Sequence, residues 1–201
     1  MAISVIIPTL NAGTSIEKLI SSLLAQDACP AEIIVIDSSS EDNTADTAKK
    51  AGAVVIVIPR HEFNHGRTRN MAALKAKGDI LVFMTQDALP VDNTLLGKLT
   101  GPLRINDIAA AFGRHVPGHD ASVLEVFARS FNYPEKGAVK GREDIEKSGI
   151  KTFFFSNVCS AIKREPFFKA GAFFSSVSFS MALISSITIF TCACCLNSLY
   201  I

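Results

Sequence analysis

The chain has 201 residues, 48% of them hydrophobic and 19% charged, and a mean hydropathy of +0.30. That balance excludes a disordered or collagen-like polymer and allows one sizeable core. Twenty basic against nineteen acidic residues leave a net charge of +1, so no basic field attracts nucleic acid. Five cysteines in a chain this long do not read as a disulfide framework. Met1-Ala2-Ile3-Ser4 opens without the basic and apolar regions of a secretory leader. The expected setting is the reducing cytoplasm.

The run Ile3 to Ile7, ended by Pro8, predicts a buried strand. Thr14 and Glu17 have capping-box spacing, and Ile16, Leu19, Ile20, Leu23 and Leu24 repeat as one face of a helix. Ile33 to Ile36 predicts the next strand. Asp42 to Lys50 reads as a helix with acids first and lysines last, matching the macrodipole. Val54 to Ile58 predicts a third strand, Arg69 to Lys77 a helix stopped by Gly78, and Ile80 to Met84 a fourth strand. Further on, Val123, Leu124, Phe127 and Phe131 share one face of a helix spanning Ser122 to Phe131, a packing or acceptor-side surface.

Continuous apolar strands alternating with helices predict an α/β fold, a mostly parallel sheet with helices on both faces. Right-handed crossovers place the C-terminal ends of the parallel strands on one edge, where such sheets bind ligands. The polar residues there are Thr9 and Asn11, then Asp37 with Ser38-Ser39-Ser40, then Thr85-Gln86-Asp87. Neither G-x-G-x-x-G nor G-x-x-x-x-G-K-[ST] follows the first strand, which argues against dinucleotide oxidoreductases and P-loop enzymes. A nucleotidyltransferase would need a basic glycine-rich loop near the N-terminus, and none is present.

The histidines fall as His61 and His65, then His115 and His119, each pair four apart. Pro59, Asn64 and Gly66 break the first pair and Pro117 with Gly118 the second, so a zinc site is not expected. Past Glu165 there is no acid and past Lys169 no base. The sequence therefore divides into residues 1–169 and an uncharged apolar stretch, 170–201. That stretch exceeds the roughly 20 residues of a spanning helix, with Lys163, Arg164 and Lys169 as its cytoplasmic flank. Its serines and β-branched residues equally suit a buried hairpin. Cys192, Cys194 and Cys195 in it read as small apolar residues.

The blocks SVIIPTLNAG, IIVIDSSSEDNT and HGRTRNMAALKAKGDILVFMTQDALP, followed by AAFGRHVP and FFFSNVCSAIKREPFFKAGAF, resemble family 2 inverting glycosyltransferases of the GT-A fold. Among these the chain is most similar to bacterial rhamnosyltransferases, over about residues 2 to 173. The resemblance implies transfer of a sugar such as rhamnose from dTDP-rhamnose or a UDP-sugar to a cell-envelope saccharide or lipid-linked acceptor. The cytoplasm or the inner face of the plasma membrane would be its place.

It also implies residue roles. Pro8, Thr9 and Asn11 would line the nucleotide pocket, and Asp37 would accept a hydrogen bond from the pyrimidine imide N–H. Arg69 would lie against the base or diphosphate. Asp87 would hold Mg²⁺ or Mn²⁺ on the diphosphate, weakly and together with the nucleotide, because Thr85-Gln86-Asp87 carries one carboxylate where the family has two or three. Asn157 would face the sugar or the acceptor. The residues alone leave other roles open: Asp37 as a helix cap, Asp87 as a turn residue before Pro90, and Arg69 as a solvated charge.

The family places an acidic pair beyond a Gly-Gly-Phe segment, and its Asp is the general base. Gly171-Ala172-Phe173 resembles that segment, but no acid follows. The expectation is a truncated or frame-disrupted copy, with a catalytically defective nucleotide-sugar binder as the alternative to an active transferase. Glu165 is then the first substitute base to consider.

Overall fold

The computed structural model describes residues 1–117, 121–133, 136–173, 188–192 and 199–200. The N-terminal half alternates as read from the sequence: β1 (Ile3–Thr9), α1 (Ile16–Leu24), β2 (Glu32–Asp37), α2 (Thr44–Lys50), β3 (Val54–Val57), α3 (His65–Lys75) and β4 (Ile80–Met84). After it come β5 (Leu89–Pro90), α4 (Leu95–Thr100), β6 (Ile108–Gly113), α5 (Val123–Asn132), β7 (Ala138–Lys140) and α6 (Ile145–Ser148). The last elements are β8 (Cys159–Lys163), α7 (Arg164–Lys169), β9 (Thr188–Cys192) and β10 (Leu199–Tyr200).

The main sheet runs β3-β2-β1-β4-β8-β6-β9-β7, and β5 pairs with β10 apart from it. β1 to β4 are mutually parallel, whereas β8 is antiparallel to both β4 and β6, so the sheet is mixed. Period-two alternation divides each central strand between two cores. Val5, Ile7, Ile33, Val35, Ile80 and Val82 face α1 and α4, while Ile6, Ile34, Ile36, Leu81 and Phe83 face α3 and α7. Each fully buried Ile, Leu or Phe contributes about 1.5–3 kcal/mol, so β1, β2 and β4 are rigid supports for their C-terminal ends.

Several local expectations are corrected. Pro8 does not end β1, because β1 pairs with β4 only as far as Ile6↔Phe83 and with β2 as far as Thr9↔Asp37. The N–H that Pro8 lacks falls on the side where β4 has already parted. The Thr14–Glu17 capping box is not formed: Ser15 is the N-cap, in the helical region at φ −108°, ψ −26°, with no side-chain cap. A cap hydroxyl reaches the helix N–H groups from extended backbone, which Ser15 does not have. α3 begins at His65, four residues early, because the Asn64 side chain accepts from Gly66 and Arg67 N–H.

Gly78 is no helix stop. A Cβ there would sit 2.6 Å from Ser4 Oγ and 2.7 Å from Ser4 N, so Gly78 serves the close approach of the chain to β1. β3 is a partly exposed edge strand, with Val54 and Val57 open to solvent. The apolar face of α5 is also unburied, with Val123 86% and Phe127 69% exposed, although the Ser122 hydroxyl caps the helix.

Among the described residues no helix is long and apolar enough to cross a membrane. Most of the 170–201 stretch, including Cys194 and Cys195, lies outside the described residues, as does His119. Within it, β9 lies between β6 and β7 in the main sheet.

Candidate active site

A cavity of about 370 Å³ opens where β1, β2 and β4 end, lined by Pro8, Thr9, Leu10, Ser38, Arg60, Phe63, His65, Arg69, Thr85 and Gln86. Three basic side chains and no carboxylate line it. Arg69 is buried, 6% exposed, and forms no salt bridge among the described residues. Its Nη1 donates to His65 O at 2.9 Å, and its Nε has no partner. Burial lowers its pKa. A guanidinium taken out of water without an acid beside it is costly unless a ligand supplies the anion.

Asp37 is 2% exposed and is not among the cavity's walls. Its Oδ1 accepts from Ser40 Oγ and, at 3.4 Å, from Thr9 Oγ1, and its Oδ2 accepts from Ser40 N–H at 2.9 Å. The carboxylate thus holds the 38–40 turn, in which Ser39 has φ 56°. Asn11, itself at φ 51°, takes Ser40 Oγ on its N–H and accepts Glu41 N–H on its side chain. It joins two loops and also lies outside the lining. Gln86, on the cavity wall, ties two strand ends together, accepting Leu10 N–H at 2.8 Å and donating to Leu10 O at 3.1 Å.

Asp87 is exposed at the tip of a turn closed by Ala88 N–H to Thr85 O, and no hydrogen bond or ion pair holds its carboxylate among the described residues. Thr85 N–H bonds Val158 O, which brings the segment before β8 to the same edge. There Asn157 Oδ1 and Thr85 Oγ1 are buried without partners. Behind them lies His115, 4% exposed and stacked on Tyr133 with centroids 4.2 Å apart. Ser156 Oγ accepts from Tyr133 OH at 3.1 Å and is hydrogen-bonded to His115 Nε2 at 3.1 Å. Burial, and to a lesser degree Arg129, push the His115 pKa down to about 4, against a smaller opposing effect of Asp87. His115 is neutral at pH 7.

A larger cavity, about 1100 Å³, opens at the opposite edge, lined by Met1, Asp79, Asp107, Lys163, Arg164 and Glu165 among others. It mixes both signs of charge, and its Arg164 donates to Ala73, Ala76 and Leu74 carbonyls, capping the end of α3. The strand C-termini, where parallel sheets present their ligand groups, belong to the smaller cavity. Glu165 is therefore at the wrong end of the sheet to serve as a base for a ligand held there.

Residues 4–169 match Glycosyl transferase family 2. The chain belongs to that family. It is 41% identical over 175 residues to the O-antigen chain rhamnosyltransferase RfbN of Salmonella typhimurium, covering 86% of this chain and 56% of that protein. The S. aureus TarS 1–349 structure superposes with TM-score 0.78 at 19% identity, covering 100% of this chain and 60% of that one. A Pyrobaculum calidifontis mannosyltransferase solved with GDP-Man and Mn²⁺ gives TM-score 0.69 at 19% identity, covering 94% and 54%. The fold is GT-A, and the chain spans little more than half the length of the Salmonella relative.

For a family 2 glycosyltransferase the implied metal can be tested against this site. Among the described residues no three His, Cys, Asp or Glu side chains converge on one point, so there is no all-protein cage. One free carboxylate at the rim does fit Mg²⁺ or Mn²⁺, ions that keep waters and take phosphate oxygens as further ligands.

Sequence reasoning found Pro8, Thr9 and Arg69 on the cavity wall. It does not reach Arg60, Phe63 and His65: the first two fall between the family blocks, and Pro59, Asn64 and Gly66 mark His65 as loop. The available signal was an aromatic flanked by cations in a polar connection between strand and helix.

Proposed function

We propose that this chain binds a nucleoside diphosphate sugar along the β1–β2–β4 edge and belongs to a transferase that passes the sugar to a saccharide or lipid-linked acceptor. The observation that carries this is Arg69, a buried cation without an acid partner in a cavity that has no carboxylate on its walls. A diphosphate supplies the missing charge. Rhamnose is the favoured sugar, since RfbN is named a rhamnosyltransferase and is related over most of this chain.

Pro8 and Thr9 would contact the nucleoside, and Arg69 the diphosphate. Asp37 would accept the imide N–H on the second lone pair of Oδ2, whose first is taken by Ser40. Asn157 would face the sugar or the acceptor. Asp87 would hold the cation, which when bound offsets charge on the diphosphate as it leaves. The walls of the donor cavity carry no carboxylate to serve as general base, and Glu165 lines the cavity at the opposite edge.

Calorimetric titration with UDP and dTDP in the presence of Mn²⁺ tests donor binding. A radiolabelled dTDP-rhamnose assay with RfbN as control tests transfer. Failure of both nucleotides to bind at millimolar concentration overturns the reading, whereas binding without transfer supports the defective binder.

A further inference from the structure

We propose that Phe63 is the platform on which the nucleobase stacks, and therefore a nucleobase-binding residue of the donor site. The proposal rests on the donor-pocket reading above and goes beyond it by fixing which way the ligand lies. The sheet order β3-β2-β1-β4 lays the cavity's walls out in sequence along one edge. Arg60 and Phe63 follow β3, Ser38 follows β2, Pro8 to Leu10 end β1, and Thr85 and Gln86 follow β4. The free carboxylate Asp87 lies just past the β4 end. The cation and the diphosphate it accompanies belong there, so the base belongs at the β2–β3 end.

At that end Phe63 is the one phenyl ring of the cavity wall. It is half-buried against the core that includes Ile36, Ile58 and Ala72, and it meets the His65 ring edge-on, with centroids 4.9 Å apart and planes at 76°. Its orientation is fixed before any ligand arrives, so little side-chain freedom remains to be lost on stacking. Ser38 lies beside it, 3% exposed, and its hydroxyl makes no hydrogen bond to the described residues. It is available to the polar edge of a base whose face rests on Phe63. A base has a π face and inorganic pyrophosphate has none, which separates stacking from any general loosening of the site.

The test titrates wild type, Phe63→Ala and Phe63→Tyr with UDP, dTDP and inorganic pyrophosphate, all with Mn²⁺. Phe63→Ala is expected to weaken UDP and dTDP by about 5- to 150-fold, to leave pyrophosphate within two-fold of wild type, and to be rescued by Phe63→Tyr. Unchanged nucleotide affinity in Phe63→Ala, or an equal loss for pyrophosphate, overturns the platform and leaves the donor pocket standing. If wild type binds pyrophosphate and neither nucleotide, the donor-pocket reading fails, and the platform with it.

Discussion

Arg69→Met should weaken donor binding while leaving the ligand-free protein at least as stable as before. The opposite signs follow from the same geometry. In the free protein the guanidinium is buried, has no carboxylate partner, keeps one bond to His65 O and leaves Nε unpaired. Replacing such an ion by an apolar side chain of similar length removes its desolvation cost, and comparable replacements are neutral or stabilising by about 1–4 kcal/mol. Loss of the His65 bond returns about 1 kcal/mol of that. The net change is about 0–3 kcal/mol in favour of the folded state, a rise in Tm of up to about 6–12 °C for a chain of this size. In the complex, the variant loses charge-assisted hydrogen bonds to diphosphate, about 1.5–3 kcal/mol, or roughly ten- to 150-fold in Kd. Thermal melts with and without UDP, beside calorimetry, read both quantities. Arg69→Lys, which keeps the charge and loses the planar fork, should fall between. A fall in Tm of several degrees together with unchanged nucleotide affinity would falsify the assignment and make Arg69 a structural residue.

Asp87→Asn should abolish the enhancement of UDP affinity by Mn²⁺ and preserve metal-free affinity; an enhancement that survives the substitution places the cation elsewhere. His115 has a folded pKa of about 4 against an ordinary 6.5, so between these values the unfolded chain binds the extra proton. Stability should fall as pH drops from about 6.5 to 4, by up to about 3 kcal/mol from this group, and His115→Asn should flatten that slope in urea melts. An identical pH slope in the variant removes His115 as the cause. Ala172 adopts φ 60° between Gly171 at φ 90° and Phe173, a conformation that costs a residue with Cβ about 1–2 kcal/mol. Less the extra freedom of the unfolded chain, Ala172→Gly should stabilise by up to about 1.5 kcal/mol, and a lower urea midpoint would contradict this.

The strands were legible because burial on two faces forces uninterrupted apolar runs: Ile3 to Ile7, Ile33 to Ile36 and Ile80 to Met84 have few other uses. Helix boundaries were less so. Thr14 and Glu17 have the right spacing for a capping box, but the bonds exist only if the N-cap residue has extended dihedrals, and Ser15 does not. Asn64 was the true cap of α3, hidden because a cap followed by His65-Gly66 reads as a turn. The α5 stripe shows the converse. Val123, Leu124, Phe127 and Phe131 have helical spacing and do form a helix, yet periodicity says only that a face is apolar, and these side chains are exposed.

At the rim, position in sequence fixed which residues gather but not what each one does there. The polar residues divide into two overlapping groups. Asn11 and Asp37 lie off the cavity wall and bond the backbone or hydroxyls of neighbouring loops, whereas Ser38, Arg69 and Thr85 stand on the wall, and Thr9 and Gln86 do both. The first group ties β1 to the turns after β2 and β4, and so sets the spacing at which the second group meets a ligand. Holding that spacing before binding removes an ordering cost that would otherwise be subtracted from affinity. Substitutions in the two groups should therefore differ in kind. Removing a tie lowers stability and binding together, since about 1–3 kcal/mol follows a buried group left unpaired, whereas removing a wall residue that makes no tie lowers binding without lowering stability. A motif scan scores both groups alike, because each is a polar residue following an apolar strand. Only the bonds those residues make separate them, and those bonds depend on left-handed backbone at Asn11 and Ser39, which neither residue type requires.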